Sequence, residues 1–101
     1  MAVKILVKRK IPTDFEDPNL LKLLRKLRSR AIVNPNYISG ETLRRIDNPR
    51  DYLVISTWRD VNSWNAWRIS PERMEIQKQI DALLGAPTEY EIYQYADPSD
   101  G

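Results

Sequence analysis

Hydrophobic and polar residues follow two different rhythms along this chain. Val3, Ile5 and Val7 alternate with Lys4, Leu6 and Lys8, the period-two pattern of a half-buried strand. Pro12 with Thr13-Asp14 closes that run. The rhythm then changes: Leu20, Leu24, Leu27 and Ala31 recur at helical spacing, and Leu21 and Leu23 widen the stripe. Lys22, Arg25, Lys26, Arg28 and Arg30 fill the opposite side, as on an amphipathic helix. Asp17 supplies an N-cap with Pro18 at the first helical position, and Asn34-Pro35-Asn36 stops the helix.

A second strand is predicted from about Tyr37 to Ile46, and Asp47-Asn48-Pro49-Arg50 makes the turn. A third follows from about Tyr52 to Trp58. Asp60 caps a short helix holding Val61, Trp64 and Trp67. Ser70-Pro71 is a fresh cap and first-turn proline, which predicts a kink or break there. Beyond it Ile76, Ile80, Leu83 and Leu84 form one stripe that ends at Gly85, with Pro87 after it. A last strand covers about Thr88 to Tyr95. The expectation is one domain over residues 1–101, with an ordered core over about 2–95 and a polar tail over 96–101.

The element order is β-α-β-β-α-β, a ferredoxin-like α+β arrangement with both helical segments on one face of a four-stranded antiparallel sheet. Leu6, Val54, Trp58 and several tyrosines then stand where the alternate set already supplies a core face. A sheet with apolar groups on both faces needs a second cover. A second copy of the chain is the expected cover, giving a homodimer whose two sheets meet face to face.

Composition narrows the chemistry. The 101 residues are 42% hydrophobic and 30% charged, and the net charge is +2, a small surplus that is weak support for a nucleic-acid partner. The chain has no cysteine and no histidine. That removes disulfides, thiolate nucleophiles, the commonest general base and the usual ligands of haem iron and transition metals. No apolar run approaches the roughly 18–20 residues that cross a bilayer. The first segment carries its basic cluster, Lys8-Arg9-Lys10, after its apolar part, whereas a secretory signal places charge first. A cytoplasmic protein without membrane contact is the expectation.

Several segments together carry a resemblance: Tyr37-Ile38-Ser39-Gly40-Glu41, Tyr52-Leu53-Val54-Ile55-Ser56-Thr57-Trp58, the Trp64 and Trp67 pair, and Pro87-Thr88-Glu89-Tyr90-Glu91-Ile92-Tyr93. In these the chain resembles the antibiotic biosynthesis monooxygenase (ABM) superfamily, dimeric α+β barrels, over almost its whole length. The same barrel serves several chemistries. In the haem-degrading branch the resemblance would put the pocket tryptophan at Trp67, the haem-binding histidine near Gln77 and the first-strand asparagine near Lys8. Glutamine and lysine stand at the last two places, which speaks against haem turnover. The quinone-forming branch implies a reaction with no flavin, haem or metal. An electron-rich phenolic or anthrone-like substrate loses a proton, and its carbanion passes an electron to dioxygen.

Such a reaction needs a dry cavity and hydrogen bonds to a developing oxyanion. Trp58, Trp64 and Trp67, with Val54 and Leu6, are the expected pocket for a small aromatic or polyketide-like compound. Arg44 or Tyr93 is the expected oxyanion partner, and Asn65 would orient a carbonyl. The same residues also have a plainer reading as core and interface packing. The Lys22–Arg30 run reads as a solvated helix face and Lys8-Arg9-Lys10 as a charged strand end. Two other classes stand beside the oxygenase. One is a non-catalytic dimeric barrel that binds a hydrophobic metabolite. The other is an RNA-recognition domain of the same topology, which the lack of any aromatic on the first strand disfavours.

Overall fold

The computed structural model describes residues 1–14, 16–97 and 99. Of the expected polar tail, Pro98, Asp100 and Gly101 therefore lie outside the described residues. Seven elements follow one another: β1 (Val3–Lys10), α1 (Pro18–Ile32), β2 (Tyr37–Arg44), β3 (Asp51–Trp58), α2 (Val61–Arg68), α3 (Pro71–Leu84) and β4 (Glu89–Gln94). The strands form one antiparallel sheet in the order β2-β3-β1-β4, the ferredoxin-like arrangement with its second helical segment divided in two.

The caps are those the sequence announces. Asp17 accepts a hydrogen bond from the Asn19 amide at 2.9 Å, and Asp60 accepts one from the Ser63 amide at 2.7 Å. Between α2 and α3 the Ser70 hydroxyl works in both directions. It donates to the Trp67 carbonyl at 2.8 Å, which also accepts the Ser70 amide at 3.1 Å, and accepts from the Arg73 amide at 3.3 Å. This one residue ends one helix and starts the next. Gly85 closes α3 at φ 68°, where a side chain would be strained. One strand is shorter than expected. β2 ends at Arg44; the Arg45 side chain pairs with Asp47, and Ile46 lies beyond the strand, 99% exposed.

Strand register decides which side chains meet the helices. Val3 lies opposite Trp58 and Gln94, Ile5 opposite Ser56 and Ile92, Val7 opposite Val54 and Tyr90, and Arg9 opposite Tyr52. Because neighbours across a sheet share a face, Tyr52, Val54, Ser56 and Trp58 belong with Val3, Ile5 and Val7 under the helices. This corrects the expectation that Val54 and Trp58 stand with Leu6 on the outer face. Leu6 does stand there, with Leu53 and Ile55 on β3. The core has two joined parts. Val3, Ile5, Val7, Trp58, Trp64 and Trp67 form one, and Ile11, Leu20, Ile76 and Ile80 form the other, where α1 meets α3. Among the described residues, no helix is long and apolar enough to cross a membrane.

Candidate active site

Between α1 and the sheet lies a cavity of about 350 Å³. Its floor is β1, β3 and β2, its roof is α1, and its inner end is closed by Trp64 and Trp67 of α2 and Arg73 of α3. The residues at the inner end are buried. Those on the α1 and β2 side, Leu21, Arg25, Arg28, Glu41 and Thr42, are exposed and mark the mouth.

The aromatic wall is continuous. Trp58 is 1% exposed and stands at the centre, stacked on Trp67 with ring centroids 6.3 Å apart. Trp64 meets it edge-on at 5.8 Å and Tyr37 at 5.6 Å, separations and tilts at which ring quadrupoles attract. Helix periodicity explains the pairing: Trp64 and Trp67 are three apart and share one side of α2. Trp58 donates its indole N–H to the Ser56 hydroxyl at 3.2 Å, so its polar edge is satisfied while its faces stay apolar. Gly40 has a specific reason to lack a side chain. The Tyr37 ring lies over it, and a Cβ there would collide with the Tyr37 hydroxyl.

Set into this apolar wall are two buried arginines. Arg9 is 7% exposed and donates through Nη2 to the Gln77 side-chain oxygen at 2.9 Å. Gln77 in turn donates to Asp81 at 2.8 Å and Thr88 at 2.7 Å. Burial, with a smaller contribution from the Arg73 charge, pulls the Arg9 guanidinium down to about 10, so it remains charged at neutral pH. Arg73, 4% exposed, donates to the Tyr90 hydroxyl at 2.7 Å and lies over the rings of Trp64 and Tyr90 at 5.4 and 5.1 Å, a cation–π setting. Among the described residues, Arg9 Nε and Trp64 Nε1 are buried without a hydrogen-bond partner.

The residues singled out from sequence divide cleanly in space. Val54, Trp58, Trp64 and Trp67 line the cavity. Leu6 does not, because its position in β1 turns it away from the helices. Tyr93 is on that outer face too, opposite Lys4 and 51% exposed. Asn65 is exposed on the outward side of α2, between the two inward tryptophans. Arg44 is exposed at the end of β2, beyond the mouth. Arg9, Arg73, Tyr37 and Tyr52 line the cavity instead. For Arg9 the signal was present, since it continues the inward series Val3, Ile5, Val7 by one more step. Among the described residues, no group of histidine, cysteine, aspartate or glutamate side chains is placed to hold a metal ion.

The family model for antibiotic biosynthesis monooxygenase matches residues 3–79, and the chain belongs to this family. Its fold is similar to that of a conserved protein from Methanosarcina mazei Go1, with a TM-score of 0.79 and 19% identity over 92% of this chain and 91% of that one. It is also similar to SnoaB, a cofactor-independent oxygenase from Streptomyces nogalater, with a TM-score of 0.78 and 14% identity over 95% and 94% of the two chains. A protein from Mycobacterium tuberculosis gives a TM-score of 0.78 at 16% identity, over 98% and 99%. None of the curated proteins matches the sequence.

Proposed function

We propose that this chain is a cofactor-independent oxygenase of small planar aromatic compounds, working as a homodimer. The observation that carries the reading is the cavity of about 350 Å³ walled by Trp58, Trp64 and Trp67, in a chain of this family. Its volume suits a substrate of two or three fused rings, and its walls suit a flat face. The chemistry asks little of the protein beyond binding and charge stabilisation. An activated ring CH₂ loses a proton, and the carbanion gives one electron to dioxygen. The resulting radical pair joins as a hydroperoxide, and loss of water leaves a carbonyl. The two oxygen atoms end in product and water, and no external reductant is consumed.

Trp67 is assigned to hold the ring system by stacking, with Trp58 packed behind it. The apolar wall keeps water from the carbanion, which strengthens the hydrogen bonds that stabilise it. The dimer is assigned to the outer face, where Leu6, Leu53 and Ile55 are half-buried and Leu43 is 43% exposed. Oxygen uptake with a series of anthrones and naphthols tests the reaction. Trp67→Ala is expected to lower kcat/KM by about tenfold or more while the unfolding transition stays cooperative. A variant that keeps the full rate places the reaction elsewhere. A wild-type chain that binds these compounds without taking up oxygen is a binding barrel and not an enzyme.

A further inference from the structure

We infer that the aromatic wall is also a one-electron relay, which carries oxidising equivalents out of the cavity through Trp58 and Trp64 to Tyr90 on β4. This goes beyond the ligand site proposed above and takes from that reading only the source of the oxidant.

The rings form an unbroken line. Trp58 is stacked on Trp67 at 6.3 Å between centroids and meets Trp64 at 5.8 Å. Trp64 in turn meets Tyr90 at 6.0 Å. In a chain without cysteine, indole and phenol are the side chains that give up one electron most easily, and rings this close exchange it directly. The two ends of the line differ. Trp58, Trp64 and Trp67 line the cavity, whereas Tyr90 does not. Tyr37 also touches Trp58, at 5.6 Å, but it lines the cavity, so a radical there would stay beside the ligand.

Protons decide where such a charge rests. An oxidised indole becomes acidic at its N–H, and passing that proton to an acceptor traps the radical on the ring. Trp64 offers no such trap: among the described residues, its Nε1 is buried without a hydrogen-bond partner. Trp58 has the Ser56 hydroxyl at 3.2 Å, a neutral and weakly basic acceptor. The Arg73 guanidinium lies over the Trp64 ring at 5.4 Å and repels a positive hole there. Trp64 is therefore a ring that charge crosses and does not occupy. Tyr90 is the reverse. Its hydroxyl oxygen accepts from Arg73 at 2.7 Å, which leaves its own proton outside that bond. The residue is only half-buried, so water takes the proton as the electron leaves.

The oxidant comes from a hydroperoxide in the cavity that breaks at its O–O bond in place of losing water, leaving an oxyl radical, RO•. That radical takes one electron from the wall and one proton from water to give ROH. Tyr90 loses one electron through Trp64 and one proton to water. One O–H bond forms and one breaks, and the radical has moved from the cavity to Tyr90. A thiol or ascorbate then restores the phenol by giving it a hydrogen atom.

Pulse radiolysis of the full chain with azidyl radical, a one-electron oxidant selective for indole, tests the relay without substrate. The indolyl absorption formed first is expected to decay as tyrosyl absorption rises, at a rate independent of protein concentration. Trapping the wild-type chain with a nitroso compound, followed by peptide mass spectrometry, is expected to place the adduct on Tyr90, a result that depends on no variant. Tyr90→Phe is expected to prolong the indolyl signal, and Tyr37→Phe to leave it as in the wild type. Trp64→Phe, which cuts the line, is expected to remove the adduct from Tyr90. A wild-type adduct on another tyrosine, a rate that rises with protein concentration, or an unchanged indolyl lifetime in folded Tyr90→Phe each overturns the inference. Retention of the Tyr90 adduct in folded Trp64→Phe overturns the route. A working relay in a chain that takes up no oxygen removes the oxygenase reading and leaves this inference standing; oxygen uptake without the relay does the reverse.

Discussion

On the helix side of the sheet, Val3, Ile5, Val7 and Trp58 are each at most 6% exposed, and their contacts all come from within the chain. On the other side, Leu6, Leu53 and Ile55 are only half-buried, and charged groups stand among them. Lys4 donates to Thr57 at 2.9 Å, and Lys8 pairs with Glu91 at 2.9 Å. The two faces are built by the same alternation of the same strands, yet they differ in kind. One is aromatic and closed, and is shaped around a cavity. The other mixes Leu6, Leu53, Ile55 and Tyr93 with charged groups and is open, the composition of a surface that meets another surface. In the proposed dimer, stability of the single chain and association of two chains fall to opposite sides of one four-stranded layer. Substitutions should therefore separate them.

The largest effect is expected where the closed face is cut at its centre. Trp58→Ala removes a fully buried ring that touches Tyr37, Trp64 and Trp67 and should lower the unfolding free energy by about 3–5 kcal/mol. In urea denaturation that loss should not depend on protein concentration. Leu6→Ala on the open face should show the opposite signature, a loss that shrinks on dilution, because association of folded chains adds stability by mass action only where the chains are associated. A concentration-independent loss for Leu6→Ala would remove the outer face as the dimer surface.

A smaller effect, of unusual sign, is expected at Arg9. Its depression by burial to about 10 corresponds to an unfavourable burial of roughly 3 kcal/mol. The folded state holds this proton less tightly than the unfolded chain. Stability is therefore reduced at all pH values below about 10 and recovers only as the pH rises through that value. Arg9→Met should then leave the midpoint of unfolding at pH 7 unchanged or raise it. A clear loss of stability would mean that the bond to Gln77 outweighs the buried charge. The least costly change is Gly40→Ala. The group in the way is the far end of the Tyr37 side chain, so about 1 kcal/mol or less is expected. The displaced ring should nevertheless alter the near-ultraviolet circular dichroism of the Tyr37–Trp58 pair.

Local signals in the sequence were sufficient for the architecture. Asp17-Pro18, Asp60, Ser70-Pro71 and Gly85 each act over a few residues, and their chemistry does not depend on the rest of the molecule. The candidate site was legible only in part. The tryptophan cluster could be seen because the residues lie close in sequence. The placing of Val54 and Trp58 could not be settled until strand register was known, since a shift of one residue exchanges the two faces. Asn65 and Tyr93 were chosen for side-chain type, but helix phase and strand phase turn them away; Arg44 shares the face of Tyr52 but stands exposed at the end of its strand. Arg9 shows the converse. It was grouped with Lys8 and Lys10 as a charged strand end, although its place in the alternation sets it with Val7 on the inside.

The crowding of all three indoles around a single chamber has an optical consequence. With Trp58 only 5.8 Å from Trp64 and 6.3 Å from Trp67, light absorbed by any one ring passes readily among the others. The near-ultraviolet emission of the whole protein therefore comes from this one spot. A guest that accepts excitation there darkens all of it at once, so the native chain serves as its own unlabelled sensor for whatever it takes in.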